Sequence, residues 1–217
     1  MAAKSIPVVV VHGLWFNGLE TFLLRERLVG AGFAPSAFRY PSTRASLEEV
    51  TDALARRLRT FRGPVHLVAH SLGGLLTIET LASRNDLPPG RIVLLGSPVQ
   101  GSRAARAVAS WSLGSQILGA LAVEQLTREQ GRRWELPREI GLIAGSRSAG
   151  LGRLIAELPQ PNDGTVAVDE TQLPGATGHL VLDVSHIGML WSRPVADAAI
   201  RFLARGSFAA GENEPHV

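Results

Sequence analysis

The sequence predicts an α/β fold, with a mostly parallel sheet and helices on both of its faces. Three observations carry that prediction. Short apolar runs alternate with segments of helical period. The runs are rich in β-branched residues and lack polar alternation, as in strands covered on both sides. A length of 217 residues makes one domain of ordinary size and leaves little room for a second.

The first strand is expected over residues 6–11 (IPVVVV), and a shorter one over 36–40, between a first helix and Pro41. Leu47, Val50, Leu54, Leu58 and Phe61 recur at three- and four-residue steps and give one apolar helix face. Pro64 breaks the chain before a buried strand at 65–69, and a helix leaves that strand over 72–84. The turn Pro88-Pro89-Gly90 opens a third core strand at 91–96 (RIVLLG), and residues 139–144 and 179–184 supply two more. Residues 194–204 (PVADAAIRFLA) form a closing amphipathic helix, with Pro194 suited to its first turn. Between Gly101 and Arg138 the strand rhythm stops. That stretch reads as an ordinary crossover or as a cap over a site, the crossover being favoured because every crossover needs an apolar face. The expected organisation is a single domain over 1–205, followed by a flexible polar tail at 206–217.

Composition removes several function classes. There is no cysteine, which excludes disulfides, thiol nucleophiles and thiolate-bound metals. The net charge is only +3, and all but one of the 22 basic residues, Lys4, are arginines. No basic cluster is interleaved with aromatics, and Arg56, Arg57, Arg59 and Arg62 read as the wet face of a helix, so nucleic acid is not an expected partner. The apolar run at 6–11 is far short of the roughly twenty residues that cross a bilayer. No charged region with a long apolar stretch and cleavage site opens the chain, and a cytoplasmic location is expected.

The sharpest chemical signal is Ala69-His70-Ser71-Leu72-Gly73-Gly74, set between a buried strand and a helix. A serine there sits on a tight, strained elbow that lifts its hydroxyl above the sheet. The small residues Ala69 and Gly73 allow strand and helix backbones to approach. The second signal is Val11-His12-Gly13-Leu14-Trp15, at the end of the first strand. Acyl transfer needs two donors for a developing oxyanion, and the backbone N–H groups of Leu14 and Leu72 are the expected pair. A polar turn and a serine helix cap would explain either motif alone.

Together the two motifs resemble the α/β-hydrolase superfamily, and within it the lipase-like serine esterases; the resemblance spans about residues 6–204. It implies a roughly six-stranded sheet lacking the first two strands of the full fold, and a Ser–acid–His triad in that chain order. Among the histidines after Ser71, His216 lies in the tail and His179 begins a strand as a polar edge residue. His186 falls in a loop before the closing helix, where the family places its base. His70 is expected to pack, and His66 to be buried within its strand. The resemblance favours Asp163, in the turn Asn162-Asp163-Gly164, as the acid, with Asp169 and Asp183 as substitutes; Asp-Gly is also among the commonest turn pairs. Trp15, Phe16 and Met189, with Leu190 and Trp191 beside them, flank these loops and are expected to line an apolar pocket or to belong to the core.

No cofactor or metal is expected. Some related lipases hold calcium through an aspartate two residues after the histidine, where this chain has Gly188. Residues 145–152 are glycine-rich without a phosphate-binding pattern, and no H-E-x-x-H occurs. The expected activity is hydrolysis of small-molecule or lipid carboxylic esters through an acyl-enzyme. Acyl transfer, thioester cleavage and amide cleavage by the same triad remain alternatives, and a catalytically silent binding protein is less favoured by the intact set.

Overall fold

A computed structural model describes residues 5–128, 131–149 and 157–209. Six strands, β1 (Pro7–Val11), β2 (Ala34–Phe38), β3 (His66–His70), β4 (Ile92–Leu95), β5 (Ile140–Gly145) and β6 (Gly178–Leu182), form one sheet. Their order is β2-β1-β3-β4-β5-β6, and every adjacent pair is parallel. The six-stranded sheet is the one the resemblance implies, with no antiparallel pairing among these strands. All six expected strands are present, with ends displaced by one or two residues.

Alternation along the strands divides the core into two layers. Val9 and Val11 of β1, with Leu67 and Ala69 of β3, face a layer built with α2 (Leu47–Arg59) and α3 (Leu72–Ala82). Val8 and Val10, with Val68 of β3 and Val93 and Leu95 of β4, face a layer built with α1 (Phe22–Gly30) and α7 (Arg193–Arg205). A strand buried on both faces has no polar side, which is why β1 reads as a continuous valine run.

Helix ends follow local chemistry. Ser46 accepts from Glu49 N–H at 3.2 Å, while the Glu49 carboxylate accepts from Ser46 N–H at 2.8 Å, closing a capping box on α2. Val50, Leu54 and Leu58 are the buried face of that helix, as the spacing predicts. In α7, the Ser192 hydroxyl accepts from Val195 N–H, Pro194 occupies the first turn, and Gly206 ends the helix at φ 76°.

The stretch between β4 and β5 forms three short helices, α4 (Arg103–Ala109), α5 (Gly114–Leu118) and α6 (Ala120–Leu126). Val108, Leu118, Leu121 and Leu126 are buried in the same layer as α2 and α3. Trp111, Leu113 and Ile117 stay exposed on the outer side. Arg132, after the last of these helices, clamps α6 to α3 by donating to Glu79 at 2.8 Å and to Gln125 at 2.9 Å. Beyond α7, Phe208 packs back on the sheet. The Phe208 ring lies 4.7 Å from Phe202 and covers Gly141 and Gly178 at the sheet edge. His216 and residues 210–217 lie outside the described residues, as do residues 150–152 of the glycine-rich stretch. Among the described residues no helix is long and apolar enough to cross a membrane.

Candidate active site

Parallel strands deliver their carboxyl ends to one edge of the sheet, and the residues singled out by sequence gather there. Ser71 stands between β3 and α3 at φ 54°, a left-handed conformation that costs a side-chain-bearing residue about 1–2 kcal/mol. Its N–H donates to the Leu95 carbonyl at 2.9 Å, anchoring the elbow to β4. Crowding explains the glycines behind it. A Cβ on Gly73 would strike the His12 and Val11 carbonyls, and one on Gly74 would lie 2.6 Å from Ser97 Cβ.

β6 ends at Leu182, two residues earlier than expected, and the released chain turns back over the sheet edge. That turn carries His186, which is 7% exposed. Its Nε2 lies 3.1 Å from Ser71 Oγ, and its Nδ1 lies 2.7 Å from Asp163 Oδ2. With a carboxylate on Nδ1, the neutral ring carries its proton there, leaving Nε2 to accept from the serine hydroxyl. Asp163 is 1% exposed. Its Oδ1 accepts from Thr165 N–H at 2.9 Å and Val166 N–H at 2.7 Å, and its backbone carbonyl accepts from His186 N–H at 3.0 Å. One carboxylate oxygen therefore builds the turn and the other holds the imidazole, so forming the turn does not prevent Asp163 from reaching His186. Asp169 is engaged twice by Arg103, and Asp183 twice by Arg147 on the surface, which removes both substitutes from the histidine.

The turn after β1 abuts the serine. A Cβ on Gly13 would sit 3.1 Å from Ser71 Cβ and 3.1 Å from His70 Nδ1. His12 fixes this turn from below: its Nδ1–H donates to the Gly13 carbonyl at 2.8 Å, and its Nε2 accepts from Tyr40 N–H at 3.2 Å. Its ring stacks on Tyr40 at 4.2 Å, and the Tyr40 hydroxyl donates to the His12 carbonyl at 2.9 Å. Burial lowers the His12 pKa, which favours the neutral ring that these bonds require. The N–H groups of Leu14 and Leu72 have no acceptor among the described residues, and Leu72 opens α3, where the helix dipole favours negative charge.

The residues expected to line a pocket separate. Trp15 is 59% exposed at the rim, with its N–H on Ser42 Oγ and its indole N–H donating to the Ile117 carbonyl at 3.0 Å. Phe16 is half-buried, its ring 6.3 Å from His70. Met189 takes the core alternative and not the pocket one. A single 3₁₀ turn over Ile187–Leu190 directs it and Leu190 into the core, where Met189 packs beneath Gly96 and His186. Trp191 remains exposed, and its carbonyl accepts from Arg27 at 2.8 Å.

A profile of the alpha/beta hydrolase family matches residues 8–209. The chain belongs to that family. Among solved structures, this hydrolase is similar to the mature form of a Bacillus licheniformis lipase, at 22% identity and TM-score 0.69, over 86% of each chain. It is similar to a metagenomic carboxyl esterase at 21% identity and TM-score 0.65, covering 85% of this chain and 65% of that one. A Paleococcus ferrophilus monoacylglycerol lipase matches at 18% identity and TM-score 0.60, over 93% and 95% of the two chains. At such identities the likeness establishes the fold alone. No curated protein sequence matches the chain.

Two residues beside His186 in this candidate site escaped sequence reasoning. Gly96 directly follows β4 at φ 55°, and a Cβ there would meet His186 Nδ1 at 3.1 Å and Met189 Sδ at 3.2 Å. A glycine directly after a core strand was the available signal. His70 was expected only to pack, yet its ring centroid lies 4.7 Å from that of His186.

Proposed function

We propose that the protein hydrolyses carboxylic esters through a Ser71–His186–Asp163 triad. The observation that carries this reading is the continuous chain from Ser71 Oγ through the imidazole to the buried Asp163 carboxylate, at the carboxyl edge of the sheet. His186 takes the hydroxyl proton as Ser71 attacks the ester carbonyl, and Asp163 stabilises the imidazolium that forms. The negative charge on the former carbonyl oxygen is met by the Leu14 and Leu72 N–H groups. Loss of one such donor typically costs ~2.7–4 kcal/mol of barrier. Collapse of the tetrahedral intermediate expels the alcohol, protonated by His186, and water then releases the acid by the same route.

Trp15 and Phe16 stand beside the proposed oxyanion turn, at the mouth through which an acyl chain would enter. Met189 supports the base from below and is not part of the proposed pocket. The lipase and esterase structures that share the fold support an ester over other acyl compounds.

The test is turnover of short chromogenic esters together with labelling by a serine-directed fluorophosphonate. Wild type should turn over the ester and take one label. Ser71→Ala should lose labelling and about 10⁶-fold in kcat, down to the assay floor. A folded wild-type chain that neither turns over any ester from two to sixteen carbons nor takes the label would overturn the proposal.

A further inference from the structure

We infer that His70 is a positioning residue for the base, holding His186 in line with Ser71 through the His186 backbone carbonyl. The inference rests on the hydrolase reading above and deepens it. His70 closes β3 and is 2% exposed. Its Nε2 lies 3.1 Å from the His186 carbonyl oxygen. A carbonyl only accepts, so Nε2 carries the proton and Nδ1 is left with a bare lone pair. That Nδ1 is buried without a partner and faces the turn at Gly13. A buried polar atom without a partner costs about 1–3 kcal/mol, so an apolar side chain would suit this place better if packing were its whole task.

Besides the Nε2 contact to Ser71 Oγ itself, His186 is held at three points: its N–H on the Asp163 carbonyl, its Nδ1 on the Asp163 carboxylate, and its own carbonyl on His70. The first two tie it to the acid turn. The third ties its backbone to β3, the strand that leads into the nucleophile elbow. His70 therefore sets the spacing between Ser71 and His186 directly, across one peptide bond on the serine side and one hydrogen bond on the histidine side. Burial, and then the neighbouring His186, push the His70 pKa down to about 3, with Asp163 and His12 also nearby. The ring is thus neutral whenever His186 works, and adds no charge against the imidazolium.

The test compares three variants with wild type on the same chromogenic ester. Gln places an amide N–H where His70 Nε2 stands; Leu keeps bulk without a donor; Asn keeps an amide that is too short to reach. His70→Leu and His70→Asn should lower kcat about 10- to 100-fold, the scale of a misplacement near 1 Å, with KM little changed. His70→Gln should recover most of the loss. If His70→Leu fails to fold, the contrast between Gln and Asn decides the matter alone. Gln and Asn variants that match wild type, or a folded Gln variant as slow as the Asn one, would overturn the inference. Failure of the hydrolase reading shows up separately, as a wild type without turnover or label.

Discussion

Strand β3 carries a histidine at each end, four residues apart and so on the same face, and the two have opposite surroundings. At the amino end, His66 Nδ1 accepts from Arg91 N–H at 2.9 Å, and Phe33 stands edge-on to its ring at 5.8 Å. At the carboxyl end, His70 donates to the His186 carbonyl, and its neighbours are His186, Gly13 and Phe16. Both are buried and both leave one ring nitrogen unpaired. Burial pushes the His66 pKa down to about 4 and the His70 pKa down to about 3. One residue type in one strand thus meets similar physics at both ends. The difference lies in what the polar bond reaches: the backbone of the next strand in one case, and the backbone of the proposed base in the other. In a parallel sheet every crossover returns the chain to the amino edge, leaving the loops at the carboxyl edge to differ.

The comparison breaks most sharply through the acid. Asp163→Asn keeps the turn bonds to Oδ1 but removes the carboxylate that fixes the His186 tautomer. Its kcat should fall about 10⁴-fold with the fold intact, measured by ester turnover alongside circular dichroism. Activity within about tenfold of wild type would show that Asp163 only shapes its turn. A smaller effect is expected at Gly96, directly after the carboxyl end of β4. Alanine there would carry a left-handed strain of about 1–2 kcal/mol and press its methyl on the His186 ring. Turnover by Gly96→Ala should drop about 100-fold, while the melting temperature falls only modestly. An active Gly96→Ala enzyme would mean that the ring position is looser than its surroundings imply.

Much of this arrangement was legible before any coordinates. All six strands were readable because a strand buried on both faces must be apolar throughout, and because Pro64 and Pro88-Pro89-Gly90 punctuate the chain. Ser71 and His186 were legible because an elbow flanked by small residues and a histidine in a late loop leave few alternatives. Met189 was not. A single 3₁₀ turn after the histidine decides whether a side chain faces in or out, and three or four residues have no periodicity to read. Residues 103–126 were half legible. Their apolar content announced a buried face, but three short helices share it, and Trp111, Leu113 and Ile117 fell on the outside. The approach of His186 to Ser71 is hemmed in by Gly13 and Gly96, where a side chain would press on Ser71 or the His186 ring, and the sequence marks these glycines only as turns after core strands.

The gentlest way to sharpen the contrast is His66→Asn. Asparagine Oδ1 can take the place of Nδ1 as acceptor for Arg91 N–H, so the change removes a titration and little else. His66 has a folded pKa of about 4, lowered from 6.5 by burial first and by the Arg91 charge second. Between those values the unfolded chain binds the proton and the folded chain does not, so stability rises with pH across this window and is lost as pH falls through it. Each such proton contributes at most about 1.4 kcal/mol per pH unit. His66→Asn should therefore unfold at nearly the wild-type denaturant midpoint at pH 8, yet lose less stability between pH 6.5 and 4. Its kcat at pH 8 should equal that of wild type, whereas the same substitution at His70 slows turnover. If His66→Asn slowed the reaction as much as His70→Asn does, the two ends of β3 would be equivalent, and the assignment of chemistry to the carboxyl edge would fail.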